Sequence, residues 1–234
     1  MRFSRLLAST AVAVTMLGAA GAAHAEDGPF SFSGSAALTS DYVFRGYSQT
    51  EEDPAVQLGL EVGHESGFFA GAWGSNVDLG ADADVELDVY IGYGNTIDNF
   101  SYSIVGNYYT YPGADSSAKY DFFEFGLNLE YALDKFTLSG SAYWSPEFYG
   151  TQGGDGWYFN TGLAYAVTDT VSVYGAIGFN EFDSALLEDY QDYQVGVTVD
   201  FEPFALDVKY VDTDVKNAAP LGNSRFVATL SYSF

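Results

Sequence analysis

Apolar and polar residues alternate one by one along almost the whole chain after Phe30. In the segment DVELDVYIGYG, residues 84–94, every second residue from Val85 to Tyr93 is apolar, and the residues between them are mostly acidic or glycine. A period of two places successive side chains on opposite faces of a β-strand. No window of three helical turns shows the apolar period of 3.6 that an amphipathic helix needs. The chain is therefore predicted to be all-β, with one apolar and one polar face on each strand.

Twelve such runs can be counted, and two kinds of connection alternate between them. The runs are approximately 32–44, 54–65, 68–79, 84–94, 100–111, 120–132, 135–146, 157–167, 170–180, 190–201, 203–213 and 224–234. Short links such as HESG, ALDK and EP alternate with longer ones such as RGYSQTEEDP and PEFYGTQGGDG. A soluble sandwich or lipocalin-like barrel has no reason for such unequal ends, whereas an outer-membrane barrel has short periplasmic turns and longer extracellular loops. The predicted fold is a 12-stranded antiparallel transmembrane outer-membrane β-barrel.

The N-terminal segment has the pattern of a secretory signal peptide. It begins with two arginines, continues with an alanine-rich apolar stretch and ends in small residues up to Ala25. A membrane anchor is the alternative, but no stop-transfer pattern follows. The expected organisation is thus a cleaved signal peptide at residues 1–25 and a barrel at residues 26–234.

Charge and cysteine content exclude several classes of function. The chain has 32 Asp and Glu against 8 Lys and Arg, for a formal charge of -24 at pH 7. Nucleic acid is an unfavourable partner, because phosphate binding depends on Lys and Arg. Cysteine is absent, which excludes both disulfides and metal sites built on thiolates. An aromatic content of 18% argues against a disordered chain.

The polar faces of the strands predict the lining of the lumen. The candidate pore-lining residues are Asp41, Arg45, Glu61, Asp84, Glu86, Asp88, Glu124, Glu130, Asp192, Asp200, Asp207, Lys209 and Arg225. Acids outnumber bases in this set, and a buried carboxylate without a partner is unfavourable. The lumen is therefore predicted to contain water, and its negative potential would concentrate cations.

Arg45 is one of the few cations, and it follows the first apolar run. In a closed barrel that run neighbours the last one, which begins near Arg225, and Lys209 lies one strand further on. One hypothesis is that these three residues form a basic patch opposite an acidic wall on the fourth run, so that a transverse field orients solutes. The preferred interpretation is structural: Arg45 pairs with Asp41 or a loop carboxylate and tethers the first loop inward.

Aromatic residues near the ends of the runs predict interfacial girdles. They are Tyr42, Phe44, Tyr109, Tyr111, Tyr131, Trp144 and Trp157. The chain ends in an alternating pair, Tyr232 and Phe234, as outer-membrane barrels commonly do. The expected partners are outer-membrane lipid and lipopolysaccharide, the barrel-assembly machinery through Phe234, and small hydrophilic solutes.

The segment TSDYVFRGYSQTEEDPAVQLGLEV, followed by GFFAGAWGSNVDLG, resembles the N-terminal signature of the TorF family of outer-membrane porins, the Gcw_chp family. The likeness is strongest from Leu38 to Leu79, and the later strands through Phe234 fit the family's length and ending. This resemblance implies a barrel and a porin-like role in a Gram-negative outer membrane. It carries no catalytic or substrate-binding residue over to this chain.

The predicted function is a channel for passive diffusion of small hydrophilic solutes, with a preference for cations. The alternative is a non-conducting structural or surface-interaction barrel. An enzyme is not expected, because His64 is the only imidazole after the signal peptide and its parity places it on the outward face, where it is no general base. No cofactor is expected. The oxygen-rich stretches GADADVELD and PGADSSAKYD leave a divalent cation site as a lesser alternative.

Overall fold

The structure is a computed structural model that describes residues 23–24, 28–149, 153–184, 187–215 and 220–234. Most of the predicted signal peptide lies outside these residues. Its last described part, Ala23–His24, pairs with the first barrel strand. Cleavage after residue 25 therefore stays a prediction.

Twelve antiparallel strands form one closed barrel, which confirms the predicted fold. The strands are β1 (Phe30–Thr39), β2 (Ala55–His64), β3 (Phe68–Asn76), β4 (Val85–Ile97), β5 (Phe100–Thr110), β6 (Phe122–Leu133), β7 (Phe136–Ser145), β8 (Asp155–Ala166), β9 (Val171–Asp183), β10 (Tyr190–Phe201), β11 (Phe204–Thr213) and β12 (Arg225–Ser233). Each pairs with its neighbours in sequence, and β12 pairs with β1 from Ser35 opposite Ser233 to Thr39 opposite Thr229. Closure leaves no unpaired edge, as a bilayer requires.

The two ends of the barrel differ in the length of their connections. The short turns are 65–67, 98–99, 134–135, 167–170 and 202–203, and the longer connections are 40–54, 77–84, 111–121, 146–154, 184–189 and 214–224. We call these the short-turn end and the long-loop end. This asymmetry was predicted from the sequence. The connection at 77–84 is longer than expected, because the run assigned to 68–79 ends as a strand at Asn76.

Outward faces are apolar, and inward faces are polar or small except for aromatic residues such as Tyr109 and Phe122 at the long-loop end. Large outward side chains keep much of their surface exposed, for example Leu60 at 63%, Ile91 at 65% and Phe226 at 75%. So continuous an apolar surface is unfavourable in water, and a surrounding hydrocarbon layer removes that cost. Within the described residues, no helix is long and apolar enough to cross a membrane.

The first connection, residues 40–54, turns into the barrel, and we call it the inner loop. The expected first run, 32–44, is wrong at its end, since β1 stops at Thr39. Inside the lumen Val43–Phe44 pairs with Tyr47–Ser48 as a small hairpin. Most of residues 41–50 are consequently buried.

The tip of this hairpin depends on Gly46. Arg45 and Gly46 have positive φ angles of 47° and 86°, a region that glycine occupies at least cost. A Cβ on residue 46 would also overlap the side chains of Thr213 and Asp192. Glycine at this position therefore allows the tip to approach the β10 and β11 walls.

Aromatic side chains fill the lumen at the long-loop end. The buried cluster comprises Tyr42, Phe44, Ala55, Val77, Ala83, Tyr109, Tyr111, Phe122 and Phe148. The girdle prediction is therefore wrong for Tyr42, Phe44, Tyr109 and Tyr111, whose rings pack inside against the inner loop. Tyr131 and Trp157, at 46% and 43% exposed, do lie on the outer surface.

The C-terminal Phe234 packs on the seam between β12 and β1. Its backbone N–H donates to the Gly34 carbonyl at 3.0 Å, and the Gly34 N–H donates back at 2.8 Å. The Phe234 ring occupies the space where a side chain on residue 34 would lie. Glycine at this position thus leaves the space in which the Phe234 ring packs.

Replacing Gly34 by Leu is expected to displace the Phe234 ring and weaken the seam by about 1–3 kcal/mol, the usual cost of overpacking. The measurement is the temperature at which the folded, fast-migrating band is lost in an electrophoretic heat-modifiability assay. Gly140→Leu is the matched control, because residue 140 also lies on an outward face and a Cβ added there would meet only a carbonyl oxygen at 3.8 Å. If both variants lose the folded band at the same temperature, packing of Phe234 on Gly34 does not stabilise the seam.

Candidate functional site

The candidate site is the constriction where the inner loop meets the lumen wall. Arg45 reaches from the hairpin tip to β6, and its Nη2 lies 2.6 Å from Oε2 of Glu124. The two side chains are only 7% and 1% exposed. Burial lowers the pKa of Arg45, but the Glu124 carboxylate, together with Tyr109 and Tyr158, raises the pKa above the ordinary value. The pair is therefore a buried, charged link between loop and wall.

Four aromatic rings surround the Arg45 guanidinium. Its central carbon lies 4.3 Å from the ring centroid of Tyr158 and 4.7 Å from that of Phe44. The rings of Tyr143 and Phe148 follow at 5.7 and 5.8 Å. All are within the range of a cation–π interaction. Among the described residues, Nε of Arg45 has no hydrogen-bond partner.

Asp41 holds the base of the inner loop. Its Oδ2 accepts from Nη1 of Arg225 at 3.0 Å, and its Oδ1 accepts from the hydroxyls of Ser48 and Thr50 at 2.6 and 3.1 Å. Glu52 also lies 3.7 Å from the Arg225 guanidinium. The loop is thus fixed at both its base and its tip.

Glu86 and Asp88 face the inner loop from β4. The Tyr42 hydroxyl donates to Oε1 of Glu86 at 3.0 Å, and both burial and that carboxylate raise the pKa of Tyr42 well above its usual value. Asp88 is only 9% exposed, and its Oδ1 has no hydrogen-bond partner within the part of the chain that the structure describes. Neither acid has a Lys or Arg at ion-pair distance among those residues. The wall is acidic beside a loop that carries a cation.

The same arrangement of a tyrosine, a glycine and a carboxylate occurs three times on the described part of the lumen wall. In each case a tyrosine lies across a glycine of the adjacent strand, and its hydroxyl donates to a carboxylate one strand further on. The three sets are Tyr90, Gly71 and Glu61; Tyr158, Gly178 and Asp192; and Tyr174, Gly196 and Asp207. The glycine leaves room for the ring, and the acid fixes its position.

Gly196→Ala is expected to destabilise the barrel by about 1–3 kcal/mol. The new Cβ would lie 2.6 Å from Cζ and Oη of Tyr174. The ring cannot retreat without losing its bonds to Asp207, at 3.0 and 2.9 Å. Urea unfolding in detergent micelles measures the effect, with Gly175→Ala as control, since its Cβ would meet only a carbonyl oxygen at 3.6 Å. If both variants unfold at the same urea concentration, the space above Gly196 is not required for the stability of the barrel.

The lumen toward the short-turn end has a different character. Inward positions there are mostly serine, glycine and alanine, and many remain partly exposed: Ser33, Gly63, Ser101, Ser139 and Ala166. Glu61, Glu130 and Asp200 lie among them and are also partly exposed. This half is polar and partly accessible. The expectation of a water-filled lumen is wrong at the long-loop end, where Tyr109, Glu86 and Glu124 are at most 2% exposed.

The two arginines of the hypothesised basic patch are each neutralised by a carboxylate. Arg45 binds Glu124 and Arg225 binds Asp41, so each is paired with an acid. Lys209 lines the same pocket of about 10 Å³ as Arg45, which has room for about one water molecule. The structural interpretation of Arg45 predicted that the residue tethers the first loop inward, and the structure agrees. The predicted partner, Asp41 or a loop carboxylate, is wrong, because Arg45 pairs with Glu124 on the wall.

Asp84 was a candidate pore-lining residue, but it lies outside the lumen. It precedes β4, its side chain is exposed, and its carbonyl accepts from the Val77 N–H at 3.0 Å. It therefore lies on the rim and does not lead an acidic wall. His64 lies on the outward side of β2, where its ring packs against Phe30 at 4.9 Å and its Nδ1 contacts Ser66. In the described ranges, no three or more acidic or histidine side chains are placed to hold a metal ion.

Comparison with known proteins gives a family and a fold. A family model described as "Bacterial protein of unknown function (Gcw_chp)" matches residues 22–234. A structure of the KdgM porin aligns with a TM-score of 0.59 at 9% identity, covering 86% of this chain and 99% of the porin. No curated protein matches the chain.

Two further structures align over most of their length. The KdgM porin in complex with disordered oligogalacturonate gives a TM-score of 0.58 at 10% identity, covering 87% of this chain and 98% of the porin. The COG4313 outer membrane channel from Pseudomonas putida F1 gives 0.47 at 14% identity, covering 88% and 94%. At such identities the likeness to KdgM shows the fold alone.

Proposed function

Because the chain belongs to the Gcw_chp family of bacterial proteins, we propose from its geometry that it is an outer-membrane, porin-like channel of the TorF type for small hydrophilic solutes. The observation that carries the proposal is the contrast between the two halves of the lumen. The short-turn half is lined by small and polar side chains that remain partly exposed. The long-loop half is closed by the inner loop, a segment that is joined to the wall at its ends and by side-chain contacts. A channel with a movable constriction fits this arrangement.

The channel is proposed to prefer cations. Inward carboxylates on the strands outnumber inward cations, since Lys209 and Arg225 are the basic residues on those faces among the described residues. An acidic lumen bounded by low-dielectric walls raises the local concentration of cations. Oligogalacturonate, the polyanion in the KdgM complex, would be repelled by such a lumen and is not proposed as the solute.

Single-channel recording tests this function. The refolded protein is placed in a planar bilayer, and conductance and reversal potential are measured under a KCl gradient. Discrete steps whose reversal potential has the sign of a cation-selective pore are expected. A correctly folded barrel that never conducts would overturn the proposal.

A second candidate function follows from the inner loop itself. The aromatic core around Tyr42 and Phe44 is buried like a protein interior, and such interiors are close-packed. A loop that never moved would leave a non-conducting structural or surface-interaction barrel. The same recordings separate the two functions. In neither does the barrel act as an enzyme or carry a cofactor.

The proposed location and partners follow from the same function. The N-terminal segment would act as a cleaved export signal, and the outward apolar faces would contact outer-membrane lipid, with lipopolysaccharide at the long-loop end. Phe234, held at the seam beside Gly34, would be available to the barrel-assembly machinery before closure. Deleting Phe234 would then lower the yield of assembled barrel in cells.

A further inference from the structure

The Arg45 guanidinium is enclosed in the lumen by the kinds of contact that proteins make with a bound cation. One carboxylate, Glu124, contacts its charge at 2.6 Å. Aromatic faces cover the rest, with Tyr158 at 4.3 Å and Phe44 at 4.7 Å. An acid combined with aromatic faces is the arrangement with which proteins recognise organic cations.

We propose that this enclosure is a binding subsite for organic cations of the guanidinium or alkylammonium class, and that Arg45 is its tethered occupant. We call it the cation cage, formed by Glu124, Tyr143, Tyr158 and Phe148. The inference rests on the proposed channel function. In that function, withdrawal of the inner loop removes Arg45 and leaves the cage for a passing solute.

The chemistry of the cage favours an organic cation over a metal ion. Hard cations such as Ca²⁺ need several oxygen ligands, whereas Glu124 is the one carboxylate among the described residues that contacts the charge of Arg45. The rings of Tyr143, Tyr158 and Phe148 lie within 6 Å of the guanidinium carbon. A weakly hydrated, planar cation gains from such faces, while a compact and strongly hydrated ion does not.

The cage is also incompletely matched to its tethered occupant. Nε of Arg45 is buried without a hydrogen-bond partner in the described ranges. Arg45 also lines a small pocket of about 10 Å³, together with residues that include Asp192, Gln194 and Lys209. A free guanidinium is not bound by the loop backbone and can reorient its donors toward the acceptors among these side chains. The cage should therefore accept a free ligand once Arg45 is removed.

Chemical rescue tests the cage without any need for conductance. Arg45→Ala removes the atoms beyond Cβ, which ethylguanidinium reproduces. Thermal unfolding of the refolded variant in detergent is followed by tryptophan fluorescence with increasing ethylguanidinium chloride. A saturable rise in melting temperature is expected for Arg45→Ala, and no comparable rise for the wild-type barrel, whose cage is filled.

Two controls distinguish binding from a general solvent effect. Urea has the shape of guanidinium without its charge, and should not raise the melting temperature. Arg45→Ala combined with Glu124→Gln should lose the rescue, because the carboxylate is gone. Sodium chloride at equal ionic strength excludes screening.

A backbone-matched variant covers the case in which Arg45→Ala does not fold. Arg45→Gly suits the φ of 47° at this position, because glycine adopts positive φ readily, and refolding yield with and without ethylguanidinium is then the measurement. Rescue of either variant that needs Glu124 supports the cage. Equal effects of urea and ethylguanidinium, rescue that survives Glu124→Gln, or failure of both variants to respond would overturn it. Rescue in a barrel that never conducts would retain the cage and reject the channel.

Discussion

Replacing Arg45 by Met is expected to destabilise the barrel by about 3–5 kcal/mol, the usual cost of breaking one side of a buried ion pair. Glu124 would be left 1% exposed without its cation, and the cation–π contacts with Tyr158 and Phe44 would be lost. Reversible urea unfolding in micelles, followed by tryptophan fluorescence, measures the change.

Two further variants show whether the effect belongs to the pair. Lys135→Met removes an exposed cation at a short turn and should change stability by less than about 0.5 kcal/mol. Adding Glu124→Leu to Arg45→Met removes the stranded charge and should restore much of the lost stability, because apolar replacement of a buried pair is often neutral. Unfolding of Arg45→Met and Lys135→Met at the same urea concentration would show that the buried pair does not stabilise the barrel.

Shortening the inner loop is expected to increase single-channel conductance several-fold. Replacing residues 42–49 by two glycines removes the hairpin, Phe44 and Arg45, while Asp41 and Arg225 remain to hold the loop base. A barrel of twelve strands whose lumen is not filled by the inner loop is wide enough for a narrow aqueous path. The measurement is the distribution of step sizes in planar bilayers.

A loop deletion of similar kind elsewhere provides the control. Residues 115–118 form a largely exposed turn at the long-loop end, and replacing them by two glycines should leave the steps unchanged. Equal conductance in the wild type and the inner-loop variant would mean that residues 42–49 do not limit the pore.

Most of the fold could be predicted because the alternation of side chains directly encodes the two faces of a strand. A bilayer outside and a polar lumen inside impose opposite chemistry on neighbouring residues, so runs such as β4 and β6 carry their orientation in sequence. Connection lengths likewise encode the difference between the two ends. These are local signals, and the structure confirms them.

The inner loop could not be predicted in the same way, because its burial depends on contacts far away in sequence. Tyr42 and Phe44 continue the alternation of β1, and their parity alone does not distinguish a ring in the lumen from one in a lipid interface. The pairing of Arg45 with Glu124 joins residues that are far apart in the chain. One available signal was the Arg45–Gly46 pair directly after an aromatic segment, since glycine there permits a sharp turn.

Asp84 shows a second limit of sequence parity. The alternating pattern extends through residue 84, but strand β4 begins at Val85, so parity alone assigned an exposed rim residue to the lumen. The tyrosine and glycine pairs were also missed as a set. In two of the three sets the glycine lies directly opposite the tyrosine on the neighbouring strand, as for Tyr174 and Gly196 and for Tyr90 and Gly71. This signal can be recognised only once the register is known.

Tethering the loop reversibly shows whether the inner loop closes a conducting barrel. Val43 of the loop packs against Val211 of the wall, and the native chain has no cysteine, so Val43→Cys with Val211→Cys introduces a single possible bridge. Conductance of this variant is recorded in one membrane before and after addition of reductant, with bridge formation verified by gel shift. Closed channels are expected while the bridge is intact, and cation-selective steps are expected after reduction. Steps of equal size in both states, or silence in both, would contradict this role of the inner loop.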